Sequence, residues 1–458
     1  MPAWAASYRR CALRLFQVGV AAADPYRAAR NALRMRDSRL EIRRDAADWS
    51  SNIRSGPWSK IYLVAFGKAA CAMANAARDI IPTGLIAGCG IAVTNYENRA
   101  DVEQFDVIGA GHPLPDAGGY EGAGAIADYV CQAGAGDLVL VLVSGGGSAL
   151  VPYPVAAISF EDKIATTKLL LACGADITRI NCVRKHLSRI KGGGLARLAS
   201  PADVHALILS DVLGDDLSSI ASGPTVPDPT TFADAVDVLE SAGVWDRVPA
   251  SVRKHLTAGC AGEREETPKP GDPIFRNVEN TLVGSNRISL DAVMQAADKK
   301  GFETHLYSDA LCGEAHKEAV QLVGRVKQQM RDQESGRPVA LVAGGETTVT
   351  IKGDGKGGRN QEMVLAFALA AELQWLEARW VFLSAGTDGR DGPTDAAGGL
   401  VDPWTLRRMT QAGIRALECL ANNDSYSALQ KSNDLVQTGA TGTNVADLQV
   451  LLIHPGLL

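Results

Sequence analysis

Four stretches of this chain gather side chains that can grip and neutralise a polyanion. Lys68 follows Gly67 directly after the apolar run from Ile61 to Phe66. Its ammonium is therefore expected at the carboxyl edge of a buried strand, where open α/β sheets take their ligands. In "LVLVLVSGGGSAL" an unbroken apolar run leads into Ser144, Gly145, Gly146, Gly147 and Ser148. Consecutive glycines lack the Cβ atoms that keep backbone N–H groups away from an anion, and a phosphate is the natural guest. "SDVLGDD" brings Asp211, Asp215 and Asp216 together after another apolar run. Hard carboxylates near a phosphate are what Mg²⁺ requires, although each aspartate alone suits a turn or a helix cap equally well. "GGETTVTIKGDGKGGRNQE" carries Glu346 and closes on Arg359, Asn360 and Gln361 at a predicted helix start. An arginine fork with two amides there forms an anion site.

Two further stretches are less specific. "HLSRIKGGGLA" sets Arg189 and Lys191 beside a second glycine triplet; one of them could steady a carboxylate, and a helix C-cap accounts for the glycines as well. "LSAGTDGRDGPTDAAGG" gathers Asp388, Asp391, Asp395 and Arg390 without the alternate spacing of an EF-hand loop.

The elements that must position these groups read as strands alternating with helices. The run Leu138 to Val143 shows no alternation of apolar and polar residues, which predicts a parallel strand covered on both faces. "KIYLVAFGKAA", "GCGIAVTNY", "FDVIGAGHPLPD" and "VHALILSDVLGDD" repeat the pattern of strand, loop and helix, the mark of a doubly wound sheet. The polar, proline-rich residues 258–273 break the pattern and predict a boundary between a domain of residues 1–257 and a second of residues 274–458. "NTLVGSNR", "PVALVAGGE", "RWVFLSAGTDG" and "LQVLLIHPG" are expected to supply the second domain's strands. A ligand held in the cleft between the two is the resulting expectation.

Bulk properties exclude several classes. At 458 residues the chain exceeds one ordinary core. With 21% charged residues and a net charge of -6, nothing suggests a nucleic-acid partner. Nine cysteines without a CxxC pair fit reduced thiols in the cytoplasm and no thiolate-bound metal. Arg9 and Arg10 precede a short apolar run, but Arg14, Arg27, Arg30 and Arg34 continue the pattern as an amphipathic surface helix rather than an export signal. No run approaches the roughly 18 apolar residues of a membrane span.

Taken together, "FGKAA", "VLVSGGGSAL", "RKHLSRIKGGGLA", "SDVLGDDLSSIASGPT", "VGSNR", "GGETTVTIKGDGKGGRNQE", "SAGTDGRDGPTDAAGG", "NNDSY" and "TGTNVADL" resemble the type-2 glycerate kinases, whose C-terminal half is the MOFRL domain. The resemblance runs from about residue 10 to residue 453 in the family's motif order. It implies ATP- and Mg²⁺-dependent phosphorylation of D-glycerate, usually to 2-phosphoglycerate. The implied fold has a larger Rossmann-like N-terminal domain, a smaller α/β C-terminal domain and catalysis in the cleft. Lys68 and Arg359 match family residues expected to act on the transferring phosphoryl group from opposite walls. Ser144 to Ser148, with Glu346 and Asn360, would serve phosphate or nucleotide. Arg189, Lys191 and Asn286 would serve substrate, Asp211 the metal, and Asp388 the hydroxyl proton. A homodimer is compatible with all of this.

Two departures stand out. Ala440 and Ala446 replace the proline and asparagine of the family's "PTGTNVND", and Gly194 stands where many relatives are expected to carry arginine. A rival reading, an NAD(P)H-dependent hydroxypyruvate reductase, needs a G-x-G-x-x-G/A fingerprint. The nearest match, Gly145-x-Gly147, has Leu150 at the third small position. A Walker A loop is absent as well. A non-catalytic sensor of phosphorylated metabolites would keep the glycine loops but has no need of Lys68, Arg359 and several carboxylates together.

Overall fold

The structure, a computed structural model, describes residues 2–45, 49, 52–332 and 336–454. The chain forms two compact units, Pro25–Val283 and Met1–Asp24 with Gly284–Leu458.

The unit Pro25–Val283 carries a small antiparallel sheet of β1 (Leu33–Arg36), β2 (Arg39–Arg43) and β3 (Ile53–Ser55). Its main sheet joins β4 (Ile61–Phe66), β5 (Gly90–Asn95), β6 (Phe105–Ala110), β7 (Leu138–Val143), β8 (Asp203–Leu209) and β9 (Val278–Gly284) in the order β6-β5-β4-β7-β8-β9. All six residues of β7 are buried, as its unbroken apolar run requires of a strand with both faces covered. Strands β4 to β8 pair in parallel. Their carboxyl ends therefore deliver Gly67, Asn95, Ser144 and Ser210 to one edge.

The second unit's sheet joins β10 (Glu303–Leu311), β11 (Val339–Gly345), β12 (Arg379–Gly386), β13 (Gly398–Val401), β14 (Leu435–Val436) and β15 (Asp447–His454), in the order β10-β11-β15-β12-β13-β14. Only β10 and β11 pair in parallel among these neighbours; β15 runs antiparallel between β11 and β12. Asp447, its first residue, thus stands opposite Gly345 on one side and Gly386 on the other. Helix Arg359–Leu373 buries residues around most of its circumference, which its run of alanine, Met363 and Phe367 permits.

The division differs from the expected 1–257 and 274–458 at three places. Helix Ala3–Ala22 packs with the second unit, burying Leu15 and Phe16 against Leu290, Val293 and Val450. Gly19 allows the close approach, because a Cβ there would lie 2.6 Å from Leu448 Cδ1. Strand β9, expected to open the second sheet, instead adds to the edge of the first. The proline-rich stretch is no linker either. Glu266 accepts a hydrogen bond from the buried His186 (3.0 Å), and Thr267 donates to the fully buried Asp228 (3.1 Å), which pins residues 258–273 onto the first unit.

Candidate active site

In the unit Pro25–Val283 the predicted groups do gather at the strand edge. The Lys68 N–H donates to the Gly145 carbonyl (2.9 Å), and Ser144 Oγ accepts from the Ala69 N–H (3.0 Å). These bonds tie the end of β4 to the end of β7. Thr94 Oγ1 (3.3 Å) and Asn98 Nδ2 (3.0 Å) both donate to the Lys68 carbonyl, so the backbone under the lysine is held from two sides. Gly67 has φ +121, and a Cβ there would run into Ser144, which leaves glycine as the residue that lets the two loops touch.

The loop itself has an unusual hydrogen-bond inventory. Among the described residues no acceptor takes the N–H groups of Gly145, Gly146, Gly147 or Ser148. Gly146 sits in the left-handed region at φ 84, beside the side chains of Lys68 and His112. Successive N–H groups turned by such a conformation make a concave anion nest. His112 titrates below the usual histidine range because it is partly buried and feels the Lys68 ammonium. Asp211 lies against Gly145, where a Cβ would come within 2.6 Å of its Cγ. Ser148 Oγ pairs with Ser222 Oγ (2.8 Å).

Asp211 is the metal ligand that the sequence suggests, and among the described residues no group of three His, Cys, Asp or Glu side chains could hold a metal ion. Mg²⁺ commonly keeps one or two carboxylates and takes its remaining oxygens from substrate phosphates and water. One carboxylate beside an anion nest fits a metal that arrives with its nucleotide.

The two predicted substrate cations part company. Arg189 is exposed and stacks over the Tyr153 ring at 4.7 Å, whereas Lys191 is buried. At position 194, a Cβ would strike the Arg189 carbonyl, which accounts for glycine where relatives are expected to carry arginine.

In the second unit Arg359 is held on three sides. Nε and Nη2 donate to Asp447 Oδ2 (2.6 Å) and Oδ1 (2.9 Å), and Nη1 pairs with Glu346 (3.0 Å). Burial works against its charge, but the Asp447 carboxylate outweighs it and raises the guanidinium further above its usual range. Asp388 is partly buried and accepts the Arg390 N–H (2.9 Å). A Cβ on Gly386 would lie 3.1 Å from Asp388 Oδ1 and 3.5 Å from Asp447 Oδ1, so these carboxylates flank one glycine.

Two predicted binding residues face inward instead. The anion at the start of helix Arg359–Leu373 is the chain's own Asp391. It accepts the Asn360 N–H (3.1 Å), Asn360 Nδ2 (3.2 Å) and the Gln361 N–H (2.8 Å). Asn360 is 1% exposed and takes a further bond from Ser384 (2.6 Å), which leaves it structural rather than a phosphate donor. Burial raises the Asp391 carboxyl to about 6 even with these donors around it. Asn286, expected to meet substrate, is buried with its amide donating to the carbonyls of Val445 (2.7 Å) and Asp447 (2.9 Å). It braces the loop that presents Asp447.

Asp447 itself was missed in the sequence. It lies in "TGTNVADL", but only the pairing of β15 between β11 and β12 reveals its position under Arg359. The loop before it departs from the expected pattern at Ala446, which takes φ 64, a left-handed conformation that asparagine tolerates better.

Comparison with known proteins gives a consistent picture. Residues 11–257 match a domain described only as of unknown function, DUF4147, and residues 339–447 match the MOFRL family. A protein of Pyrococcus horikoshii named glycerate 2-kinase is 43% identical over 97% of this chain and 97% of its own. A protein of Agrobacterium vitis that carries a provisional hydroxypyruvate reductase name is 40% identical over 98% of this chain and 95% of its own. The crystal structure of a Thermotoga maritima glycerate kinase superposes with a TM-score of 0.84 at 38% identity, covering 98% of this chain and 99% of that one.

Proposed function

This chain belongs to the glycerate kinase family with a MOFRL C-terminal half and is an enzyme of the glycerate 2-kinase type, and from that premise we propose that it transfers the terminal phosphoryl group of ATP to D-glycerate with Mg²⁺, giving 2-phosphoglycerate and ADP. The observation that carries the reading is the run of N–H groups from Gly145 to Ser148 without acceptors, beside Lys68 and Asp211.

Phosphoryl transfer asks little covalent chemistry of a protein; it asks for positioning and for charge on the equatorial oxygens. The Gly145 to Ser148 loop cradles phosphate oxygens with amides whose direction the backbone has already set. Lys68 brings a cation whose carbonyl is anchored by Thr94 and Asn98. Asp211 would hold Mg²⁺, which when bound would neutralise phosphate charge. Arg359 brings the second cation, its fork fixed by Asp447 so that no reorientation is needed as charge develops. Asp388 accepts the proton of the attacking hydroxyl. No helix of the described residues is long and apolar enough to cross a membrane.

Hydroxypyruvate reduction is the weaker reading, favoured only by the names of some relatives. The helix after the glycine loop is the four-residue Gly147–Leu150, too short to offer a dinucleotide pyrophosphate the dipole that the Rossmann motif uses.

The test mixes the purified chain with D-glycerate, ATP and Mg²⁺, follows ADP release and reads the product by ³¹P NMR, with NADH and hydroxypyruvate alongside. Glycerate-dependent ADP and a 2-phosphoglycerate signal are expected, each falling at least about a hundredfold in Lys68→Ala and Arg359→Ala. NADH oxidation without ADP release would overturn the proposal.

A further inference from the structure

Lys163, Arg184 and Lys191 line one cavity of the unit Pro25–Val283, and Ser148 of the glycine loop lines it with them. Lys191 is 1% exposed, and its Nζ has no hydrogen-bond partner. The charges it feels are those of Lys163 and Arg184, which stand on this cavity's wall, so its ammonium belongs there too. Lys163 is 5% exposed and donates to the Leu187 carbonyl (3.2 Å). Among the described residues no acidic group acts on any of the three.

Burying an amine without a counter-ion disfavours its charged form, and an anion that enters such a cluster restores the charge and is held by it. Burial lowers Lys163 to about 7 and Lys191 well below its ordinary value, as expected where no carboxylate offsets desolvation. The cavity encloses about 40 Å³. That exceeds the ~10–15 Å³ that a single water needs, yet it is far too small for a nucleobase. The remaining wall includes Leu114, Pro152 and Ile164, apolar groups that strengthen any charge pairing inside.

We infer that this cavity seats the carboxylate of the acceptor, with Lys163, Arg184 and Lys191 as its counter-charges. The inference rests on the glycerate kinase reading and extends it from Lys191 to two residues that the sequence did not single out. Ser148, shared by the loop and the cavity, would couple the seat of the acid to the phosphate nest.

The experiment compares the full chain with Lys191→Met and Arg184→Gln, using steady-state kinetics and thermal melting with propionate, a carboxylate that has no hydroxyl to phosphorylate. The expected result is a KM for glycerate at least about tenfold higher in each variant, with a smaller change in kcat and in the KM for ATP. Propionate should compete with glycerate and raise the Tm of the wild type, and should do neither in the variants. Lys191→Met, relieved of a buried amine without a hydrogen-bond partner, should melt no lower than the wild type without ligand. An unchanged KM, or propionate acting equally on all three proteins, overturns the inference. A wild type that releases no glycerate-dependent ADP but is still stabilised by propionate through Lys191 would remove the kinase reading and leave the carboxylate site standing.

Discussion

Beside the loops that follow β6 and β7, three basic side chains line a cavity with no carboxylate on its wall; at the edge of β11, β12 and β15, one arginine is gripped by two carboxylates. In the first, burial disfavours the charge of the two lysines, and on the proposed reading an incoming anion restores it. The second serves orientation, since Asp447 takes two of the guanidinium's donors and leaves the fork fixed. On the proposed reading, binding and positioning fall to different side chains.

The sharpest way to break this contrast is to loosen the held arginine. Asp447→Ala should lower kcat at least about tenfold and cost about 2 kcal/mol of stability, because it strands a partly buried guanidinium. Glu346→Ala, whose side chain is 52% exposed, should change kcat less than about threefold. Equal losses in the two variants, measured by kcat and by urea unfolding, would mean that Asp447 does not set the geometry.

A second prediction sharpens the other side of the contrast. The same first unit does compensate one of its buried histidines: His186 rises to about 9 against the opposing effect of burial through bonds to the Cys182 carbonyl and Glu266, and Glu266, also despite burial, falls to about 2. The histidine's contribution is fully present below its unfolded pKa of about 6.5 and is lost as pH rises through about 9. The glutamate's is present above about 4.5 and is lost as pH falls through about 2. Glu266→Gln should therefore destabilise the chain by about 1 kcal/mol at pH 6 and by much less near pH 10. Denaturation curves that show the same loss at both pH values would contradict the pairing.

The smallest effect concerns the loop that presents Asp447. Ala446→Asn should stabilise by about 0.5 kcal/mol, since asparagine visits the left-handed region more readily than alanine. A lower Tm for that variant would show that its side chain collides with the loop rather than relaxing it.

Much of this was legible in the residues because the features are local. Strands β4, β7, β11 and β12 announce themselves as apolar runs that end in glycine, and Lys68 and Ser144 follow from their place directly after such runs. Asp447 and Asn286 were illegible in their roles, since each acts through a partner brought near only by strand pairing. Asn360 and Gln361 carry the signature of an anion site, and the anion proves to be Asp391, about thirty residues further on. Lys163 and Arg184 look like ordinary charges on helices Phe160–Ala172 and Ile177–His186. Nothing in their spacing says that both turn toward Lys191. The polar residues 258–273 imitate a linker because the buried groups that bind them, His186 and Asp228, lie far back in the chain.

Helix Ala3–Ala22 belongs to a unit whose sheet is built from residues 303–454. During synthesis at roughly 5–20 residues per second, it must wait on the order of tens of seconds for that sheet to leave the ribosome. Meanwhile the whole of Pro25–Val283 emerges and can fold between the helix and its partners. Leu15 and Phe16 lack their packing partners until then. The chain is thus one domain threaded into the interrupted sequence of another, and residues 25–283 expressed alone should fold. A fragment beginning at Gly284 should not, unless helix Ala3–Ala22 is supplied in trans.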